Sequence, residues 1–122
     1  MRKTFFITML LWASLSFAQD TKKYDAISDY SEGLAGVKLN DKWGFIDKTG
    51  NEITPLKYDD VYVFNEGLAT VKLNGKYGFI DQTGKEVIPL KYDKVWRFSE
   101  GRVYVQLNGR EFYIDRNGNE IK

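Results

Sequence analysis

The sequence predicts an all-β fold of three tandem antiparallel β-meander or hairpin repeats, stacked as a short solenoid-like array after a cleaved signal peptide. Three observations predict it. Lys-Tyr-Asp recurs at Lys23, Lys57 and Lys91 with no insertion between copies. Asn-Gly pairs separate short runs of apolar and β-branched residues, the strongest short hairpin signal. No segment has an apolar period of 3.6 residues long enough for a helix.

The three copies are residues 23–56, 57–90 and 91–122. Copies one and two agree at 21 of 34 positions and copies two and three at 15 of 32, so the repeat runs the length of the unit rather than through one motif. In copy two, Gly67 to Leu73 reads as a strand that stops at Asn74-Gly75, and Lys76 to Asp81 as its return. A type I′ turn there needs positive φ at both central residues, which Asn and Gly accept. Copy three has Asn108-Gly109 at this turn, and copy one the weaker Asn40-Asp41. The pairing places Leu73 opposite Lys76 and Val71 opposite Gly78, with Val71, Leu73 and Ile80 on one face and Tyr77 and Phe79 on the other.

A second turn follows at Asp81-Gln82-Thr83-Gly84, matched by Asp47 to Gly50 and Asp115 to Gly118. Its Asp caps the turn through the side chain, and its Gly takes the left-handed φ that closes it. A third strand is expected at Glu86 to Ile88, stopped or pushed to an edge by Pro89, and a fourth at Asp93 to Phe98. One such meander cannot bury both faces. Leu68, Val71, Leu73, Phe79, Ile80, Val87, Val95 and Phe98, with their equivalents, therefore form a core continuous between copies. Glu32, Glu66 and Glu100 are expected to face solvent.

Met1 to Ala18 has the layout of a secretory signal peptide: Arg2 and Lys3, an apolar run from Phe5 to Trp12, then small residues ending at Ala18. The apolar run falls short of the roughly 18 to 20 residues that span a bilayer. Cleavage after Ala18 is expected, leaving residues 19–122 as an exported repeat domain, periplasmic or extracellular and not inserted in a membrane. Removing Arg2 and Lys3 leaves 16 basic against 17 acidic residues, a balance that offers nothing to nucleic acid. Small exported domains commonly rely on disulfides, yet the chain has no cysteine, so packing alone must stabilise it. It has no histidine either, which excludes Ser-His-Asp catalysis and histidine-based zinc sites.

Gly75 to Asp81 (Gly-Lys-Tyr-Gly-Phe-Ile-Asp) and Lys42 to Asp47 (Lys-Trp-Gly-Phe-Ile-Asp), with Val87-Ile88-Pro89 and the Lys-Tyr-Asp after it, resemble the bacterial WG repeat. The resemblance covers essentially all of residues 19–122. It implies a β-rich repeat protein of the kind common among bacterial exported proteins, presumed to mediate interactions and without an assigned activity. Its signature residues here are Trp43, Gly44, Tyr77, Gly78, Asp47, Asp81 and Asp115. Copy three departs from the pattern: Glu111-Phe112 replaces the name-giving dipeptide, Arg102-Val103 stands where the others have Leu-Ala, and the Pro-Leu step is missing. Copy three therefore reads as a C-terminal cap.

The candidate sites each have a structural alternative. Asp47, Asp81 and Asp115 could serve as calcium ligands or catalytic acids, but the turn role accounts for them, and a calcium loop needs several oxygen ligands at alternate positions. Tyr24, Tyr58 and Tyr92, each followed by Asp, could form an aromatic ladder for sugar rings, against packing between copies. Trp43 and Tyr77 precede glycine, whose bare backbone an aromatic ring can cover, against a role as ligand platforms. Tyr62 and Trp96 occupy one repeat position that varies between copies, and are the first choice for an exposed binding patch. No nucleophile and base pair can be named, so no catalytic residue, cofactor or metal is expected. The expected function is non-catalytic binding of another envelope or extracellular protein. The alternatives are a polysaccharide or cell-wall binder using the aromatics, and a structural or inhibitory protein that occupies a partner's surface.

Overall fold

The computed structural model describes residues 23–122; the expected leader and its cleavage after Ala18 lie outside the described residues. The elements are all strands: β1 (Ala26–Ile27), β2 (Leu34–Leu39), β3 (Lys42–Asp47), β4 (Asp60–Val61), β5 (Leu68–Leu73), β6 (Lys76–Asp81), β7 (Glu86–Tyr92), β8 (Lys94–Val95), β9 (Arg102–Leu107), β10 (Arg110–Asp115) and β11 (Glu120–Ile121). They form three antiparallel sheets, ordered β1-β2-β3, β4-β5-β6-β7 and β8-β9-β10-β11. Each is built on one hairpin in the expected register, with Leu73 opposite Lys76 and Val71 opposite Gly78. Asn74 and Gly75 turn the chain at φ 53° and 79°, and Asn40 and Asp41 at 53° and 66°.

A second tight turn was hidden in the sequence. Ser31 pairs with Leu34, Asn65 with Leu68 and Ser99 with Arg102, so Glu-Gly forms a two-residue turn in every copy. Both turn residues have positive φ, including Glu32, Glu66 and Glu100 at 54°, 54° and 56°. Glutamate is an unusual residue for the left-handed region. Glu32 and Glu100 are exposed as expected and Glu66 is half-buried; for Glu32 and Glu66 the side chain gives the reason for the turn. Glu32 Oε1 accepts the Gly67 N–H at 2.9 Å, while Glu66 accepts the N–H groups of Glu100 and Gly101 at 3.0 and 2.9 Å. Each carboxylate thus pins the same turn of the following copy.

The sheets do not coincide with the Lys-Tyr-Asp frame. The third strand runs past Pro89 to Tyr92, with register shifts against β6 on either side of Phe79. Only two residues, Lys94 and Val95, form the regular part of the expected fourth strand, and they pair with β9 of the next sheet. Backbone bonds from Asp93 N–H to Gln106 O and Trp96 N–H to Tyr104 O lengthen that contact. The chain therefore leaves one sheet at Tyr92 and joins the next at Asp93. Tyr58 makes the same transfer, pairing with Trp43 through two backbone bonds before Asp59 N–H bonds Lys72 O. Side chains lock each transfer. Asp59 takes the Lys42 ammonium at 2.6 Å and the Asn74 N–H at 2.9 Å; Asp93 takes Lys76 at 2.5 Å and the Asn108 N–H at 2.8 Å.

Two buried clusters join the copies. Leu34 and Phe45 of copy one meet Tyr58, Phe64, Ala69, Val71 and Ile80 of copy two. Leu68, Phe79 and Ile88 of copy two meet Tyr92, Phe98, Val103, Val105 and Ile114 of copy three. Phe64 lies edge-on to Phe45 and Phe98 edge-on to Phe79, at centroid distances of 4.8 and 5.0 Å. Such pairs add about 0.5 to 1.5 kcal/mol to what burial alone contributes. Among the described residues, every buried side-chain polar atom has a hydrogen-bond partner.

The glycines of the signature are required by a close approach of backbone, while the Trp43 ring lies against a different glycine, with Cε3 3.6 Å from where a Cβ on Gly36 would stand. A Cβ on Gly78 would lie 2.6 Å from Ile88 O and 2.8 Å from Leu90 N; one on Gly44 would lie 2.9 Å from Pro55 O. It is the returning backbone that crosses their bare face. In copy three Phe112 stands in the same position and packs its side chain against the copy two/three core.

Gly78→Ala is expected to lower unfolding free energy in urea by about 1 to 3 kcal/mol, the usual range for overpacking against atoms that cannot move aside. Glu66→Ala is expected to cost about 1 kcal/mol through two orphaned N–H groups, while Glu100→Ala, which releases no bond of this kind, leaves the urea midpoint unchanged.

Candidate functional site

A groove of about 500 Å³ runs across all three copies, and its largest exposed side chains are Tyr62, Val63 and Trp96, exposed by 48, 46 and 46%. These residues lie where the chain has just left a short edge strand. One backbone bond holds each repeat position to the neighbouring central strand: Ser28 N–H to Gly36 O, Tyr62 N–H to Thr70 O, and Trp96 N–H to Tyr104 O, at 2.8 to 3.0 Å. The backbone is fixed while the side chains project outward.

The groove exists because the copies differ at these two positions. Copy one has Ser28 beside Gly36, copy two Tyr62 beside Thr70, and copy three Trp96 beside Tyr104. A Cβ on Gly36 would come within 3.0 Å of Val61 Cγ2, so glycine lets Val61 settle there without shifting. At the other end, Trp96 meets Tyr104 edge-on at 5.3 Å, and Tyr104 meets Tyr113 at 4.9 Å. Side-chain size thus rises along the array, from a small-residue end to an aromatic wall.

Trp43 and Tyr77 line the same groove, each with a lysine over its ring: Lys38 at 5.9 Å and Lys72 at 5.2 Å. The Tyr62 hydroxyl is held above its ordinary pKa by partial burial first, then by the neighbouring Tyr77 and the Asp60 carboxylate, so it is a neutral donor at physiological pH. Two of the polar side chains along the wall are committed to the backbone, while Thr70, Tyr77 and Arg97 also line it. Ser28 Oγ accepts the Gly36 N–H and donates to Asp29 O, and Asn65 Nδ2 donates to Phe98 O. The surface left for a ligand is chiefly aromatic and aliphatic.

The aromatic ladder of Tyr24, Tyr58 and Tyr92 is corrected: it does not form an exposed stripe. Tyr58 and Tyr92 are buried, at 1 and 2% exposure, because each sits at the transfer between sheets with its ring in an inter-copy core. Tyr58 donates its hydroxyl to Glu86 at 2.8 Å, and burial, followed by Glu86, raises its pKa well above the usual phenol value. Half-buried Tyr24 repeats the bond with Glu52 at 2.9 Å.

The recurring aspartates sit in turns. Asp47 Oδ1 accepts the N–H groups of Thr49 and Asn51 and the Thr49 hydroxyl; Asp81 does the same with Thr83 and Lys85, and Asp115 accepts the N–H groups of Asn117 and Asn119. Gly50, Gly84 and Gly118 close these turns at φ 86 to 88°. Among the described residues, no group of three or more acidic, histidine or cysteine side chains could hold a metal ion, and no helix is long and apolar enough to cross a membrane.

Successive sheets joined by one recurring turn, one recurring carboxylate and one aromatic pair define a stacked β-repeat protein. A family model described as WG containing repeat matches residues 21–43, 43–77 and 77–110, and the chain belongs to that family. Comparison with curated proteins and with solved structures finds no match. The matched segments meet at Trp43 and Tyr77, the aromatics before the crossed glycines, which places the family's frame about one hairpin away from Lys-Tyr-Asp. Glu111-Phe112 falls outside the third match.

Hydrogen bonds from the turns hold Asp47 and Asp81 below the usual aspartate pKa, led by Thr49 and Thr83 respectively; Lys42 and Lys76 chiefly do the same for Asp59 and Asp93. A depressed native pKa stabilises the fold above the unfolded value of about 3.9 and is lost as pH falls through the native one. The urea midpoint is therefore expected to be level from about pH 7 to 5 and to fall below about pH 4, with a shallower acid limb in Asp81→Asn.

Proposed function

We propose that this protein is a non-catalytic, exported repeat module that binds another envelope or extracellular protein through the groove of Tyr62 and Trp96. Membership of the WG repeat family supports a repeat module. The observation that carries the reading is the exposure of a tyrosine, a valine and a tryptophan side by side on a rigid backbone. Large aromatics with few rotatable bonds and an apolar surround are what protein interfaces use as anchors. Export follows from the leader-like order of residues 1–18.

A protein segment suits the groove better than a polysaccharide. Sugar rings stack on aromatics, but their hydroxyls also need several polar partners beside the ring, and the surround of Tyr62 and Trp96 is chiefly apolar, with Val61, Val63 and Phe98 in the lining and Ser28 and Asn65 committed to the backbone. An aliphatic or aromatic side chain of a protein segment brings no hydroxyl of its own to the apolar part of the groove.

The test is retention of envelope proteins by the immobilised protein, with purified cell-wall polysaccharide as a parallel arm. Trp96→Ala and Tyr62→Ala are each expected to weaken retention of the protein partner by about tenfold or more, as loss of an aromatic anchor does. Their melting temperatures should match that of the parent, since neither side chain is in the core. Retention by polysaccharide alone, or equal retention by both variants, would overturn the proposal.

A further inference from the structure

The joint between copies is built twice inside the chain from the same parts. The preceding copy supplies a turn carboxylate (Glu32, Glu66) for the next copy's turn N–H groups and a hydrogen-bond donor for the next copy's carbonyl. Ser31 Oγ donates to Phe64 O at 2.8 Å, and Asn65 Nδ2 to Phe98 O at 2.6 Å. The preceding copy also offers the ring of Phe45 or Phe79 to Phe64 or Phe98. From the following copy a long polar side chain reaches back: Gln82 to Glu32 Oε1 at 3.1 Å, and the Arg116 guanidinium to Glu66 O.

Both halves of this joint recur, exposed, at opposite ends of the array. Copy three presents Ser99, Glu100 and Tyr113 in the preceding-copy positions, around a recess of about 380 Å³. Copy one presents Tyr30, the Glu32-Gly33 turn and Lys48 in the following-copy positions; Lys48 stands where Gln82 and Arg116 stand. Glu100 and Lys48 are exposed, and neither makes an ion pair among the described residues. They carry opposite charge at positions that touch within each internal joint.

We infer that the copy-three end of one molecule binds the copy-one end of a second, head to tail, with Glu100 accepting the second molecule's turn N–H groups and Lys48. The rings at the two ends support this. All four internal ring positions of the joint are Phe, and the two end positions, Tyr30 and Tyr113, are exposed tyrosines that keep the ring and add a hydroxyl, which in Tyr30 donates to Asp47 O at 3.2 Å. Tyrosine suits a surface that is wet in one state and covered in another. The contact is a rim contact. Arg102 replaces the core leucine of the other copies and lies 4.2 Å over Tyr113, while Ala35, Val37 and Ile46 of copy one are already buried. Small, partly polar interfaces give weak association, and a head-to-tail joint continues into chains unless it closes into a ring.

Sedimentation velocity on the purified protein tests this across roughly 10 μM to 1 mM, where weak contacts register. The weight-average sedimentation coefficient is expected to rise with concentration and to fall back as salt is added. Glu100→Lys and Lys48→Glu are each expected to remove the rise, and the double variant to restore it; unchanged melting curves show that all are folded. A coefficient constant over the range would overturn the inference. So would association that survives both single variants, or loss in the single variants with no recovery in the double.

Discussion

The array depends on one close approach in each of the first two copies: a returning backbone laid across a residue with no side chain. Gly78 sits beneath Ile88 to Leu90, and Gly44 beneath Thr54 to Leu56. Only by crossing there can the chain run along the edge of its own sheet as far as Tyr58 or Tyr92 and then step into the next. Those two tyrosines consequently reach the inter-copy cores, and Asp59 and Asp93 reach the hairpin turns on either side of the step. Successive sheets are linked by the strand that leaves one and enters the other as well as by apolar contact. That linkage answers how about a hundred residues without a disulfide can hold together, since no sheet has to be stable alone.

The hairpins were legible because their signals are local. Asn-Gly fixes the turn, the turn fixes the register, and the register assigns Val71 and Ile80 to one face and Phe79 to the other. The step between sheets was not legible for the opposite reason. Pro89 usually ends a strand, and nothing near it reports that the chain continues to Tyr92 on the strength of a bare glycine eleven residues earlier. The Glu-Gly turns were hidden in a similar way. Glutamate is a poor choice for positive φ, and its presence at residues 32 and 66 is explained only by a partner 34 or 35 residues away. A glutamate repeated before a glycine in every copy was the available signal, and solvent exposure was the simpler explanation of it.

Among the aromatics, recurrence and variation separated two roles. At Tyr58 and Tyr92 the tyrosine of Lys-Tyr-Asp fills the step between sheets with a large ring, and the hydroxyls of Tyr24 and Tyr58 are accepted by Glu52 and Glu86. Residues 28, 62 and 96 face no such demand. Their backbone bond to the central strand is the same whichever side chain is present, so Ser, Tyr and Trp all fit the fold. The same freedom holds at residues 36, 70 and 104, and together the two positions grade the groove from small to aromatic.

Inequality between the copies has a second consequence at the end of the array. In copy three a phenylalanine, Phe112, stands where glycine must leave space in the other two, and it packs against the copy two/three core. Arg102 takes the place of a core leucine and covers Tyr113, and Arg110 closes on Glu120 with two bonds at 2.9 and 3.0 Å. These changes make the last copy tolerant of water without removing its joint, for Ser99, Glu100 and the ring of residue 113 are all retained. A cap built only to end the array would have no need of that combination, because each of these groups does its work elsewhere in the chain by touching a following copy. Copy three therefore keeps the parts of the joint and adds polar cover to them.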